Sequence, residues 1–210
     1  MIPKPFIDIC EFLKESPPNL SLSGNARLDS KTSENSVTSQ IINSDLRNTY
    51  QINSPNIGSG KKVDNNWYDI KVEDLYCDIK ISELKSSDNT GATRHIFYLL
   101  TGEEPPKTSH NIFEKMKGSE KPCELRDFYY LIVNKDKPAD CFIVSLKGFK
   151  KVNPNPRNQP FQCNWNENRG ITQRNWREAK EYLLSKWAVS IKKQIALAKE
   201  GMPKHYPEFF

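Results

Sequence analysis

Apolar residues fall in separate clusters along this chain, and the spacing inside each cluster differs. Phe6, Ile9, Cys10 and Leu13 sit at i, i+3, i+4 and i+7, which predicts a helix over 3–15 that Pro17-Pro18 ends. Residues 16–31 read as loop. A second helix is expected over 33–48, capped by Ser33, with Val37, Ile41 and Leu46 along one side. Residues 51–66, "QINSPNIGSGKKVDNN", carry the Gly, Asn, Ser and Pro of a loop. Next comes "WYDIKVEDLYCDIKIS", residues 67–82, rich in strand-forming residues. It divides into a strand over 67–72, a turn at Glu73-Asp74 and a strand over 75–82.

After "KSSDNTGA" breaks the pattern, 93–101 reads as a helix that Gly102 stops, and a short helix is expected near 109–117. Two strands follow at 127–135 and 140–148, joined by "DKPA". The first is almost continuously apolar, as a strand covered on both faces should be. Residues 150–170 form a long Pro/Asn-rich loop. The last helix is expected over 172–200, with Thr172 as its cap and Gly201 as its stop. Trp176, Ala179, Leu183, Trp187, Ile191, Ile195 and Ala198 make its apolar stripe. This order predicts an α/β (α+β) chain, a central mixed sheet flanked by helices. The 210 residues fit one domain: an N-terminal helical part to about 50, a core from about 60 to 148, and a basic loop plus helix from about 150 to 210.

Charge adds one asymmetry to this outline. From Lys151 onward there are 11 Lys and Arg against 5 Asp and Glu, while the first 150 residues are nearly neutral within a net charge of +5. A basic C-terminal part points to a polyanionic partner. The N-terminus carries acids inside its apolar pattern, and no run approaches a membrane span. Five scattered cysteines contain no CxxC pair, so neither a zinc site nor a disulfide framework is expected, and a cytoplasmic location fits. Three histidines (95, 110, 205) share no ligand spacing, and no phosphate-loop, dinucleotide or nucleophile-elbow motif occurs.

The case for chemistry therefore rests on the carboxylates of 67–82. Alternation along a strand puts Asp78 and Lys80 on one face. A tight turn at 73–74 lets Asp69, at the start of the partner strand, approach Asp78 across the hairpin. Two close carboxylates repel unless a proton or a cation lies between them. Oxygen ligands with open positions suit magnesium, and a lysine beside them can orient water and stabilise charge on phosphorus. The structural alternative is a solvated edge hairpin whose charges discourage strand pairing.

"YDIKV", a short turn and "LYCDIKIS" resemble the PD-(D/E)xK nuclease motif of type II restriction endonucleases. The likeness covers about 64–82, with a compatible order of elements to about 148. Tyr68 stands where the family often has Pro. In that family the first acid begins one strand and the D/E-x-K sits on the next. The resemblance thus implies Asp69 and Asp78 as metal ligands, Lys80 as the catalytic lysine and the backbone carbonyl of Ile79 facing the metal. Asp64 is the rival first acid, and Glu34 could be the acid that the family often carries on a preceding helix.

The resemblance further implies a Mg²⁺-dependent site-specific endonuclease acting on double-stranded DNA, with Mn²⁺ as a substitute. It would be a homodimer paired with a companion DNA methyltransferase in a bacterial or archaeal cell. Alternatives are a repair or structure-specific nuclease of the same fold and a non-catalytic DNA-binding protein. Candidate DNA contacts lie on three loops: Lys61, Asn65 and Asn66; Lys85, Ser86, Ser87 and Asn89; and Arg157, Asn158, Gln159, Gln162, Asn164 and Arg169. Their Asn, Gln and Arg side chains suit base edges and phosphates.

Overall fold

A computed structural model describes residues 1–20, 26–55, 66–107, 112–156, 160–170 and 172–205. Helix α1 runs Lys4–Glu15 and α2 Ala26–Ile42, with a 3₁₀ turn at Asp45–Asn48. Strands β1 (Ile52–Asn53), β2 (Ile70–Val72), β3 (Leu75–Ser82) and β4 (Asp88–Thr90) follow. Helices α3 (Ala92–Thr101) and α4 (Ile112–Ser119) precede strands β5 (Phe128–Asn134), β6 (Cys141–Ser145), β7 (Asn153–Pro154) and β8 (Phe161–Cys163). Helix α5 (Trp176–His205) comes last.

Five strands form one mixed sheet in the order β1-β2-β3-β5-β6. β1, β2 and β3 run as an antiparallel meander, β3 pairs with β5 in parallel, and β6 returns antiparallel to β5. The parallel pair needs a crossover, which α3 and α4 occupy. Alternation along β5 shows why both faces are covered. Phe128, Tyr130 and Ile132 enter a core with α3, α4 and α5, while Tyr129, Leu131 and Val133 enter another with α1 and α2. The expected mixed sheet flanked by helices is therefore present.

The tight turn of the β2–β3 hairpin places Glu73 at φ 51°. That left-handed conformation is what a two-residue hairpin turn requires. Contacts to Gln51, just before β1, hold it: the Glu73 amide donates to the Gln51 carbonyl at 2.8 Å, and the Gln51 amide donates to Glu73 Oε1 at 2.9 Å. Gly102 ends α3 as expected, at φ 78°, and an added Cβ would lie 2.6 Å from the Arg126 guanidinium.

Several expectations are corrected. The second helix begins at Ala26, before Ser33, and ends at Ile42. β1 lies inside the expected 51–66 loop, β4 inside the stretch that breaks the pattern, and β7 and β8 inside the 150–170 loop. Strands of two or three residues are too short to display alternation. β4, β8 and β7 assemble into a separate three-stranded sheet. Thr172 does not cap α5. Asn175 does: Glu178 N donates to Asn175 Oδ1 and Asn175 N donates to Glu178 Oε2, both at 2.9 Å. This is a reciprocal capping box. The helix also continues through Gly201, which has no left-handed φ there, so Gly201 does not act as a stop. The stripe on α5 is core from Trp176 to Trp187, whereas Ile195 is half exposed.

Candidate functional site

The site sits where β2 and β3 part company. Their ladder pairs Ile70 with Cys77, and the Asp69 amide extends it with a bond to the Cys77 carbonyl at 3.0 Å. Beyond that level β3 continues while β2 has not yet begun. The Asp69 side chain takes over the missing strand's role: its Oδ2 accepts the Ile79 amide at 2.7 Å. In an extended strand the amide and carbonyl of one residue point to the same side, so the Ile79 carbonyl is also directed toward Asp69.

Asp78 and Lys80, two residues apart on β3, project from the same face of the sheet. Asp78 lies beside Tyr130 of β5, and Lys80 beside Ile132. Asp78 is 9% exposed. Lys80 Nζ and Asp78 Oδ2 are 2.7 Å apart in an ion pair that leaves 21% of the Lys80 side chain and 12% of the Asp78 side chain exposed. Across the hairpin the Asp69 and Asp78 carboxyls are close enough to share a hydrogen bond. Burial, and then the charge of Asp78, push the Asp69 carboxyl well above the usual carboxylate range. Burial also opposes ionisation of Asp78, but the Lys80 ammonium and the Asp69 hydrogen bond outweigh it and hold that carboxyl low. Burial alone would lower the Lys80 ammonium; the negative charges of Asp78, Glu34 and Asp69 reverse the sign and keep it protonated.

Glu34 arrives from α2, half-buried, with Ser30 Oγ donating to its Oε1 at 3.1 Å. Its carboxyl is raised, by burial first and by Asp78 as well, while Lys80 pulls it down. The structure thus groups Asp69, Asp78, Lys80 and Glu34. Asp64 lies outside the described residues.

Among the described residues, no group of three or more His, Cys, Asp and Glu side chains stands in a metal-holding arrangement. Magnesium does not demand one, since it is often held by one or two carboxylates plus water and phosphate oxygens. Two adjoining carboxyls, Asp78 buried and Asp69 half-buried, with a backbone carbonyl directed at the same spot, fit that pattern. Asp69, Asp78 and the Ile79 carbonyl would hold the ion.

Sequence reasoning missed three neighbours. His95 of α3 is buried, stacked on Phe128 at 3.7 Å between ring centroids. Its Nε2 is 2.8 Å from the Trp67 carbonyl and its Nδ1 is 2.8 Å from the Tyr130 hydroxyl. A carbonyl only accepts, so Nε2 carries the proton and Nδ1 accepts from Tyr130. This ties α3 to the segment that delivers Asp69. Burial lowers the imidazole to about 4, so it is neutral near pH 7. Asp88 of β4 lines a cavity of about 300 Å³ with Ser82, Ser86 and Lys135. Its Oδ2 is buried without a well-formed hydrogen bond among the described residues, and Lys80 contributes to its electrostatics. No local spacing announces His95, Tyr130 or Asp88, because tertiary packing alone brings them to the hairpin.

The expected DNA-contact residues divide. Lys61, Asn65, Arg157, Asn158 and Gln159 lie outside the described residues. Asn66 is half-buried beside Trp67, and Ser86 lines the cavity near Asp88. Ser87 is half-buried, and Lys85 pairs with Asp136 at 2.9 Å on the surface. Asn89 and Gln162 meet on the small sheet. Asn164 and Arg169 are engaged within the fold. Asn164 Oδ1 accepts the amides of Asn166 and Glu167, while Arg169 forms a two-pronged pair with Asp140 and stacks on Phe142. Among the described residues no helix is long and apolar enough to cross a membrane. Neither a protein-family model nor a curated protein matches the chain.

Proposed function

We propose that the chain is a Mg²⁺-dependent, site-specific endonuclease that hydrolyses double-stranded DNA in the manner of type II restriction enzymes, with Mn²⁺ as a substitute. One observation carries the reading: Asp69 heads one strand and meets, across a tight hairpin, the Asp78-x-Lys80 of the next. That is the placement the resemblance requires, and Glu34 on a preceding helix extends it. The proposal includes a homodimer reading a palindromic site and a companion DNA methyltransferase, within the cytoplasm of a bacterial or archaeal cell.

Each residue has a task set by its electrostatics. Bound magnesium would supply the positive charge that lets the two carboxyls coexist as carboxylates and makes water a better nucleophile. Asp69 and Asp78 fix position through rigid backbone, since β3 is locked between β2 and β5. Lys80 remains an ammonium, so it acts as a donor rather than a base, orienting the attacking water and countering charge on the phosphate oxygens. Water adds to phosphorus as the bond to the 3′ oxygen breaks, leaving a 5′-phosphate and a 3′-hydroxyl.

The test compares plasmid cleavage in Mg²⁺ by the wild type, Asp78→Ala and Lys80→Ala. Discrete fragments from the wild type, reduced about 10²–10³-fold or more in each variant, are expected. A smear without discrete fragments points instead to a repair or structure-specific nuclease. DNA binding without cutting in Mg²⁺ or Mn²⁺ would leave a binding protein and sink the enzyme.

A further inference from the structure

The small sheet that follows the catalytic strand has two very different faces. Its register pairs Thr90 with Phe161 and Asp88 with Cys163, and Thr90, Phe161 and Cys163 are fully buried. Alternation then sends Asn89 and Gln162, themselves a register pair, to the other face. Asn153 pairs with Gln162 from the far side. Three carboxamides, Asn89, Gln162 and Asn153, therefore stand in one cross-strand row. Asn is a poor strand former, so local propensity does not account for such a row.

The row is organised. Asn89 Oδ1 accepts from Gln162 Nε2 at 3.3 Å and from Nδ2 of the buried Asn155 at 3.0 Å. With its oxygen held from two sides, Asn89 turns its amide hydrogens away from those bonds. Gln162, with its nitrogen engaged, turns Oε1 away likewise. The face presents a donor and an acceptor side by side.

That pair complements the major-groove edge of adenine, which offers N7 as acceptor and the N6 amino group as donor. Guanine offers two acceptors there and would set one against Gln162 Oε1. A β-ribbon fits the major groove, and Lys193 of α5, 3.3 Å from the Pro154 carbonyl, adds a cation beside the row for a phosphate. Asn89 lies nine residues beyond Lys80, on the strand that follows β3, and that short span of chain limits the distance between the row and the proposed cleavage centre.

We infer that the Asn89 face of the β4–β8–β7 sheet reads an adenine in the major groove of duplex DNA through Asn89, Gln162 and Asn153. The inference rests on the nuclease reading for its ligand.

The experiment selects bound duplexes from a library with a randomised segment, using the full chain and Ca²⁺ so that binding is read without cutting. The wild type is expected to enrich an A·T pair at a fixed position. Asn89→Ala and Gln162→Ala should each relax that position alone by roughly 5- to 150-fold. Asn153→Ala serves as a third probe if either variant fails to fold. Four results would overturn the inference: no enriched A·T pair, unchanged preference in the variants, equal weakening on all sequences, or no duplex binding. A protein that selects A·T but never cuts plasmid in Mg²⁺ or Mn²⁺ retains the reading face and loses the nuclease.

Discussion

In the five-stranded sheet the polar groups of the candidate site are ionisable and buried or half-buried; in the three-stranded sheet the polar row is neutral and half-buried or exposed. Asp69, Asp78 and Lys80 lie under a covered pleat, where each charge raises or lowers its neighbours. Asn89 and Gln162 share a hydrogen bond at the surface and carry no charge. Water exclusion strengthens the electrostatics that hydrolysis needs, whereas recognition of a base edge needs donors and acceptors within the ligand's reach. A substitution in the first sheet should therefore move activity and stability strongly, and in opposite senses at different positions. A substitution in the second should move only preference.

The sharpest break in that comparison comes at Asp69. Asp69→Asn keeps the shape and the acceptor for the Ile79 amide while removing a carboxyl whose ionisation burial and Asp78 both oppose. Cleavage should fall about 10²–10³-fold, yet the unfolding temperature should hold or rise by about 2–4 °C. A clear fall in that temperature would mean the carboxyl is structural. Lys80→Met has the opposite effect on stability, because it leaves Asp78 buried without its cation. The expected cost is about 3 kcal/mol, read as a lower urea midpoint.

His95 extends the contrast to pH. Its ordinary value is 6.5, and burial lowers it to about 4 in the fold. The unfolded chain therefore binds the extra proton first. The contribution is complete above pH 6.5 and is lost as pH falls from 6.5 toward 4, by roughly 3 kcal/mol at the limit. Urea midpoints across that window should decline in the wild type and flatten in His95→Gln. The smallest effect belongs to the small sheet: Gln162 is half-buried and gives up one neutral side-chain hydrogen bond, so Gln162→Ala should change stability by about 1 kcal/mol or less.

Much of the candidate site was legible because it is local. Asp69, Asp78 and Lys80 share one hairpin, and the bounds of β3 follow from the run Leu75–Ser82. The apolar stripe of α5 was equally plain, and its start could have been read from Asn175 and Glu178, the two ends of a capping box. The three-stranded sheet was not legible. β4, β7 and β8 hold two or three residues each, and the β4–β8 pairing joins segments about 70 residues apart in sequence. His95 and Tyr130 were hidden for a related reason, since each reads as ordinary core until α3 and β5 are brought together.

The parallel pairing of β3 with β5 has a consequence for how the chain folds. The β2–β3 hairpin closes through contacts only a few residues apart, but β5 begins at Phe128, after a crossover that starts beyond Ser82. Local contacts precede distant ones because a long loop costs more entropy to close. Both acids are thus delivered on an early hairpin while they are still hydrated and their repulsion is screened. The full penalty of placing them together falls due only when β5 docks and the water leaves.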